Sequence, residues 1–241
     1  MKQRLDAVLA ARGLVASRSQ AESWIKLGKV TVDGKTVTKP GFFVSVEADI
    51  RLKAQEQFVS RAGLKLASVA KVLGLQFKDK VVLDIGSSTG GFTDFSLKRG
   101  ARRVIAVDVG TDQLHPSLRG NSAVELYEKT DIRDFMLPEG ERPDITVMDL
   151  SFISLREILP HVFTNLSTRN THVVAMLKPQ FEAGKHQVNK GVIKNDTVRR
   201  QILKDFELWV RQYAVVADKA DSEVAGSKGN RERFYLLKPL R

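Results

Sequence analysis

The chain has 241 residues, with 39 Lys and Arg against 28 Asp and Glu, a formal net charge of +11, four His and no Cys. That length suits one or two domains with a real core, and no run approaches the roughly 18 apolar residues of a membrane span. The missing cysteine removes disulfides, thiolate metal sites and thiol nucleophiles together, which fits a reducing cytoplasm, and four scattered histidines argue against a metal site. The positive excess favours a polyanionic partner; the alternative is a solvated basic surface with none.

Residues 1–55 read as a separate small unit. Leu5, Val8 and Leu9 form a short helical stripe that stops at Gly13. Ser17, with Gln20 three positions later, has the capping-box spacing and starts a second helix through Ala21, Trp24 and Ile25 as far as Gly28. Valines alternate from Lys29 to Thr38 around Asp33-Gly34, the dipeptide of a type I′ hairpin. Pro40-Gly41 then leads into two short strands, at 42–46 and 49–52. Arg12, Arg18, Lys26 and Lys29 gather around the second helix and are candidate RNA contacts.

A polar linker, Lys53 to Gln57, precedes a predicted helix over Phe58–Leu75 in which Lys65 lies between apolar neighbours. The next stretch, VVLDIGSSTGGF from Val81 to Phe92, is a strand, a glycine turn and the start of a helix that runs to Arg99 and closes at Gly100. A second β-branched strand, 103–108, ends in Asp108. The candidate cofactor-binding residues here are Asp84, Gly86, Ser87, Ser88, Gly90, Gly91, Phe92 and Asp108. Glycines permit positive φ and close backbone approach, and Asp108 can accept both hydroxyls of a ribose. The spacing is D-x-G-x-x-x-G, not the G-x-G-x-x-G of a pyrophosphate turn. Asp84 also stands where a diphosphate would be repelled and a cationic methionine moiety accepted. The stretch therefore reads as a site for S-adenosylmethionine (SAM) and not NAD, the alternative being a glycine-rich turn in a sugar- or phosphate-binding domain.

Val109–Leu118 reads as a loop with a short turn. Val124–Lys129 is a third strand, and Asp131 follows it, placed either to meet an adenine amino group or to cap the next turn. Pro143–Phe152 reads as a buried parallel strand ending in Asp149. A helix over Ser154–Leu166 follows, then a strand from Thr171 to Pro179. Lys178 stands near its end, held extended by Pro179 with its side chain outward and no helix begun. The basic loop Ala183–Lys194, with Lys185 and Lys190, is either an RNA clamp or a solvated connector. A helix over Asp196–Tyr213 and strands at 214–217 and 233–237 end the chain, with Glu232 opening the last.

Strands alternating with helices imply an α/β fold, a mostly parallel sheet whose ligands lie beyond the carboxyl ends of its strands. Asp84, Asp108, Asp149 and Lys178 all fall at such ends.

Two resemblances carry further. RLDAVLAARGLVASRSQAESWIKLGKVTVDGKTV resembles the S4 RNA-binding domain. FVSRAGLKL, DIGSSTGGFTD, VDVGTDQL, VMDLSFISL, MLKPQFE and GNRERFYLL are similar to the TlyA branch of the FtsJ-like 2′-O-methyltransferases, often labelled haemolysins. Together they cover nearly the whole chain. They imply a small α+β S4 domain at 1–55 and a Rossmann-like methyltransferase domain with a seven-stranded sheet at 56–241. They imply SAM as cofactor, ribosomal RNA or a ribosomal subunit as partner, and the ribose of a cytidine as acceptor. They also imply a catalytic Lys–Asp–Lys–Glu tetrad that maps onto Lys65, Asp149, Lys178 and Glu232. Glu232 rests on the shortest motif, with Glu223 close by. In that tetrad Lys178 either takes the proton of the 2′-hydroxyl or only orients it; alternatively the four charges brace the sheet edge. Two rival functions are an S4 RNA-binding protein with an inactive methyltransferase domain and a membrane-active haemolysin. The intact Asp84 loop and tetrad weigh against the first, and the lack of an apolar span against the second.

Overall fold

The computed structural model describes residues 2–15, 17–45, 47–53, 58–184, 187–226 and 228–240. Its N-terminal unit runs β1 (Lys2–Arg4), α1 (Leu5–Ala11), α2 (Arg18–Lys26), β2 (Val30–Val32), β3 (Lys35–Thr36), β4 (Phe43–Ser45) and β5 (Ile50–Leu52). The Ser17 hydroxyl accepts from the Gln20 amide at 3.2 Å and caps α2. Asp33 (φ 49°) and Gly34 (φ 78°) make the left-handed turn between β2 and β3. β2 lies between β3 and β5, and β1 pairs antiparallel with β4. Three residues are too few to show a period, so β1 has no signature in the sequence. Leu5, Leu9, Ile25 and Val30 are fully buried beneath these elements.

The larger unit contains α3 (Arg61–Ala70), β6 (Val81–Ile85), α4 (Gly91–Lys98), β7 (Arg103–Val107), α5 (Pro116–Arg119), β8 (Val124–Tyr127) and β9 (Ile145–Met148). It continues through α6 (Leu155–His161), β10 (His172–Leu177), α7 (Pro179–Glu182), α8 (Asp196–Val210), β11 (Ala214–Asp221) and β12 (Arg233–Pro239). Seven strands form one sheet in the order β11-β12-β10-β9-β6-β7-β8, in which β12 is antiparallel to both neighbours and the other pairings are parallel. From β6 the chain moves outward to β7 and β8, then returns to β9 on the other side. The carboxyl ends of β6 and β9 therefore border the crevice where an open sheet binds its ligand.

Alternation along the strands sorts the core into two layers. Val82, Val104, Val147 and Val174 pack beneath α3 and α4 with Phe92 and Phe95. Leu83, Ile105, Met148 and Ala175 point the other way, towards α6 and α8 with Leu159 and Phe206. Asp84 shares the period of Val82, so its side chain rises on the α4 side.

The helix expected from Phe58 begins only at Arg61. The Val59 amide instead donates to Asp94 Oδ2 at 2.9 Å, which keeps the preceding segment extended. The strand read over Pro143–Phe152 with its end at Asp149 stops at Met148, and Leu150–Phe152 leave the sheet. Pro160 lies inside α6, which passes directly into a π-helical turn over Val162–Leu166, a common response to a missing backbone donor. The two units meet through one continuous hydrophobic cluster that includes Leu5 and Ile25 on one side and Phe58 and Leu66 on the other, and Gln20 Nε2 on α2 donates to the Phe58 carbonyl at 2.6 Å.

Candidate active site

Three recesses meet at the carboxyl ends of the central strands. The first, about 140 Å³, is lined by Asp84, Gly86, Ser87, Ser88, Phe92, Asp149, Ser151 and Lys178. A cleft of about 480 Å³ extends from it past Asp108, Asp131, Val107, Leu150 and Ile158. On the other side a third recess, about 430 Å³, is lined by Arg61, Lys65, Phe152, Lys178, Gln180, Phe181, Asn230 and Glu232. Ser151 borders all three, and Lys178 joins the first to the third.

Asp84 is 1% exposed. Thr93, one turn into α4, donates its hydroxyl to Oδ2 at 2.6 Å, while the buried Oδ1 has no partner. Burial pushes this carboxyl up to about 7, and the nearby negative charge of Asp149 pushes the same way against the Thr93 hydrogen bond. A cation entering the small recess would give Oδ1 its missing partner. Ser87 Oγ, also buried and unpaired, borders the same space. Gly86 (φ 77°) carries the chain past β9 so closely that a Cβ there would lie 3.2 Å from the Asp149 carbonyl oxygen.

Gly90 and Gly91 line none of these recesses; they set the packing behind them. A Cβ on Gly91 would lie 2.3 Å from Ser60 Oγ and 2.9 Å from the Gly63 nitrogen, so α3 and α4 touch backbone to backbone. That contact fixes the helix from which Lys65 projects, one half-turn beyond Gly63. Asp108 accepts from the Ser88 and Gly110 amides at 2.8 and 2.7 Å, tying the glycine loop to the end of β7 while lining the cleft. Asp131 both borders the cleft and caps its own turn. Hydrogen bonds from the Arg133 side chain and amide hold its carboxyl down at about 2.

The four tetrad residues form two ion pairs around the junction. Lys178 Nζ lies 2.6 Å from Asp149 Oδ1 and donates to Ser151 Oγ at 2.6 Å. Lys65 Nζ lies 2.6 Å from Glu232 Oε2, with both side chains under a tenth exposed. The backbone of Lys178 is extended as expected. Its side chain, however, is not turned outward, being 9% exposed and folded against β9, and Pro179 does open a helix, the single turn α7.

Several site residues were not visible beforehand. Read as the end of a strand, Ser151 and Phe152 looked like core. They belong instead to a turn in which Phe152 takes φ 67° and stands 91% exposed, its ring 5.2 Å from that of Phe181. Glu182 reaches back from α7 to accept from the Ser154 hydroxyl and the Leu155 amide, both at 2.7 Å, and burial raises its carboxyl. The loop after α7 is pinned as well. Asn189 and Val192 exchange backbone hydrogen bonds around Lys190 and Gly191, and buried Asn230 donates to the Gly191 carbonyl at 2.8 Å and accepts from the Ile193 amide at 3.0 Å. Lys190 is exposed at the tip of this turn; Lys185 lies outside the described residues.

The basic residues of the N-terminal unit are dispersed in their bonding. Arg12 donates to the Ala48 carbonyl, Arg18 contacts Asp6, Lys26 lies 3.8 Å from Glu22, and Lys29 is exposed.

Comparison with known proteins adds a lineage to this geometry. The family of FtsJ-like methyltransferases matches residues 58–238, and the S4 domain matches residues 3–50. The 16S/23S rRNA (cytidine-2′-O)-methyltransferase TlyA of Mycobacterium tuberculosis is 37% identical, over 98% of this chain and 90% of its own. Hemolysin A of Brachyspira hyodysenteriae is 37% identical, over 95% of this chain and 97% of its own. A solved structure described as a hemolysin, from Streptococcus thermophilus, matches with a TM-score of 0.73 at 36% identity, over 99% of this chain and 88% of that one. Among the described residues, no helix is long and apolar enough to cross a membrane.

Proposed function

The chain belongs to the FtsJ-like methyltransferases, and from that membership we propose that it is a SAM-dependent ribose 2′-O-methyltransferase of ribosomal RNA, acting on a cytidine. Residues 1–55 serve as the RNA-docking unit and 56–241 as the methyltransferase unit, and the reading sets the enzyme in the cytoplasm beside the ribosome. The observation that carries it is the position of Lys178. Its Nζ contacts Asp149 and Ser151 where the cofactor recess opens into the third recess.

SAM, when bound, supplies a methyl group on a positively charged sulfur. Asp84 Oδ1 and Ser87 Oγ are the unpaired atoms available to its amino-acid end, and Asp108 and Asp131 border the roomier cleft suited to its adenosine. The acceptor 2′-hydroxyl belongs in the third recess, where the exposed face of Phe152 gives its base a surface to lie on. As the new O–C bond forms and the methyl–sulfur bond breaks, the hydroxyl proton must pass to the Asp149 carboxylate or to water. Lys178, paired with Asp149, is a hydrogen-bond donor there; it orients the oxygen and stabilises the negative charge that develops. The Lys65–Glu232 pair holds the opposite wall in register through α3. Exposed Lys190 stands near the recess as an RNA-phosphate contact, together with Arg12, Arg18, Lys26 and Lys29 on the N-terminal unit.

Mass-spectrometric mapping of ribose methylation on ribosomal RNA incubated with the protein and SAM tests this function. A Lys178→Ala variant should melt lower, because Asp149 loses its ion-pair partner, yet remain folded at the assay temperature and keep its SAM affinity while losing single-turnover methyl transfer. Methylation of a base atom, or a Lys178→Ala enzyme with near-normal turnover, would overturn the reading.

A further inference from the structure

The N-terminal unit exposes an aromatic ring that its own fold does not explain. In the β1–β4 pair, Arg4 stands directly opposite Phe43 and Gln3 opposite Val44. Directly paired residues share one face of an antiparallel ladder. Val44 faces the core at 3% exposure, so Phe43 and Arg4 face solvent together, and Phe43 is 61% exposed. Phe42 beside it is 44% exposed. Packing therefore does not account for an aromatic residue at 43.

Its neighbours are organised cations. Asp6 is completely buried, and its carboxylate takes Arg4 through two hydrogen bonds of 3.0 and 2.8 Å and Arg18 through one of 3.2 Å. The Arg4 pairing holds the Asp6 carboxyl down at about 2, so it stays ionised at neutral pH. Arg4 and Arg18 remain 47% and 58% exposed. One carboxylate thus fixes two guanidiniums without cancelling them, with outer N–H groups left for phosphate oxygens. A fixed cationic pair next to a bare aromatic face is the combination that holds unpaired nucleotides, phosphates on the arginines and a base on the ring. Anionic lipid or an acidic protein could also use the ring and the positive pair, and the match of residues 3–50 to the S4 domain is what favours RNA.

We propose that Phe43, opposite the Arg4 that Asp6 couples to Arg18, is a stacking platform for an unpaired base of the RNA, so that the N-terminal unit recognises a loop or junction and not only duplex. The proposal rests on the reading of this unit as RNA-binding and adds to it the structural class of RNA preferred.

The test is an anisotropy titration of the full chain with two synthetic RNAs of equal length, a hairpin with an unpaired purine loop and a fully paired duplex. Loss of one stacked base corresponds to about 5- to 150-fold in affinity. Phe43→Ala should weaken hairpin binding by that factor while duplex binding stays unchanged, and the slope of log affinity against log salt should not move. Phe43→Trp should restore hairpin affinity and Phe43→Leu should not. Arg4→Ala, in contrast, should flatten the salt slope by roughly 0.7 to 0.9. Hairpin binding at wild-type strength by Phe43→Ala or Phe43→Leu, or an equal loss on both RNAs, would overturn the platform. If the unaltered protein binds neither RNA, the RNA-binding reading fails and the platform with it.

Discussion

Replacing Asp84 with Asn should make the unliganded protein more stable and the enzyme useless. Burial raises the Asp84 carboxyl from 3.8 to about 7, with one oxygen left unpaired. A carboxyl raised in this way favours folding below pH 3.8, where both states are protonated, and that advantage is lost as pH rises from 3.8 towards 7. Above pH 7 the folded protein carries a buried charge that the unfolded chain would hold in water. The gap of about three units corresponds to about 4 kcal/mol. Asn removes the charge and keeps an acceptor for Thr93, but places an amide donor in the unpaired position, which returns about 1–3 kcal/mol. The net gain should be about 1–3 kcal/mol at pH 8, a rise of roughly 3–10 °C in Tm for a chain of this length, and should turn into a loss of about 1–3 kcal/mol near pH 4, where only the cost of the unpaired amide remains. SAM binding to the unaltered enzyme should weaken below about pH 7, because Asp84 must release a proton to meet the ammonium, and calorimetry in two buffers should record that proton. Asp84→Asn should bind SAM at least a hundredfold more weakly, given about 3 kcal/mol for a lost buried charge-assisted contact. Thermal melts of both proteins from about pH 4 to 8, with calorimetry alongside, check the pair of effects. An Asp84→Asn protein that melts below the unaltered one at pH 8, or that keeps its SAM affinity, refutes the reasoning.

Three further outcomes follow from the packing around the site. Gly63→Ala places a Cβ 2.6 Å from Phe58 and 2.9 Å from the Gly91 carbonyl oxygen; it should cost about 1–3 kcal/mol in a melt and lower single-turnover rate by displacing Lys65. Lys65→Met strands the buried Glu232 carboxylate and should cost about 3–5 kcal/mol; adding Glu232→Gln should recover most of the stability but none of the activity. Asn230→Ala frees the Gly191–Ile193 turn, and steady-state kinetics should show the KM for RNA rising more than kcat falls, with SAM affinity unchanged.

The order of the longer elements, the alternation of strands with helices and the carboxylates at strand ends could be read in advance, though β1 and α7 could not. These features depend on period-two and period-3.6 patterns and on glycine and proline signals, which act over a few residues. Asp84, Asp108 and Asp149 could be placed at the crevice because alternation fixes which face of a strand each side chain takes. What pairs with what could not be read, since ion pairs join residues far apart in the chain. Lys178 meets Asp149 because β10 lies beside β9, and Lys65 meets Glu232 because β12 inserts beside β10 and α3 docks on α4. The same holds for the glycines: Gly90 and Gly91 looked like cofactor contacts, yet Gly91 answers to Gly63, about thirty positions earlier. Phe152 shows the sharpest difference. Its apolar neighbours matched a buried strand, and only the chain leaving the sheet after Met148 put its ring in solvent. Local pattern determined where the strands end and which charges stand there; long-range packing decided which of those charges neutralise one another and which, like Asp84 Oδ1, are left open.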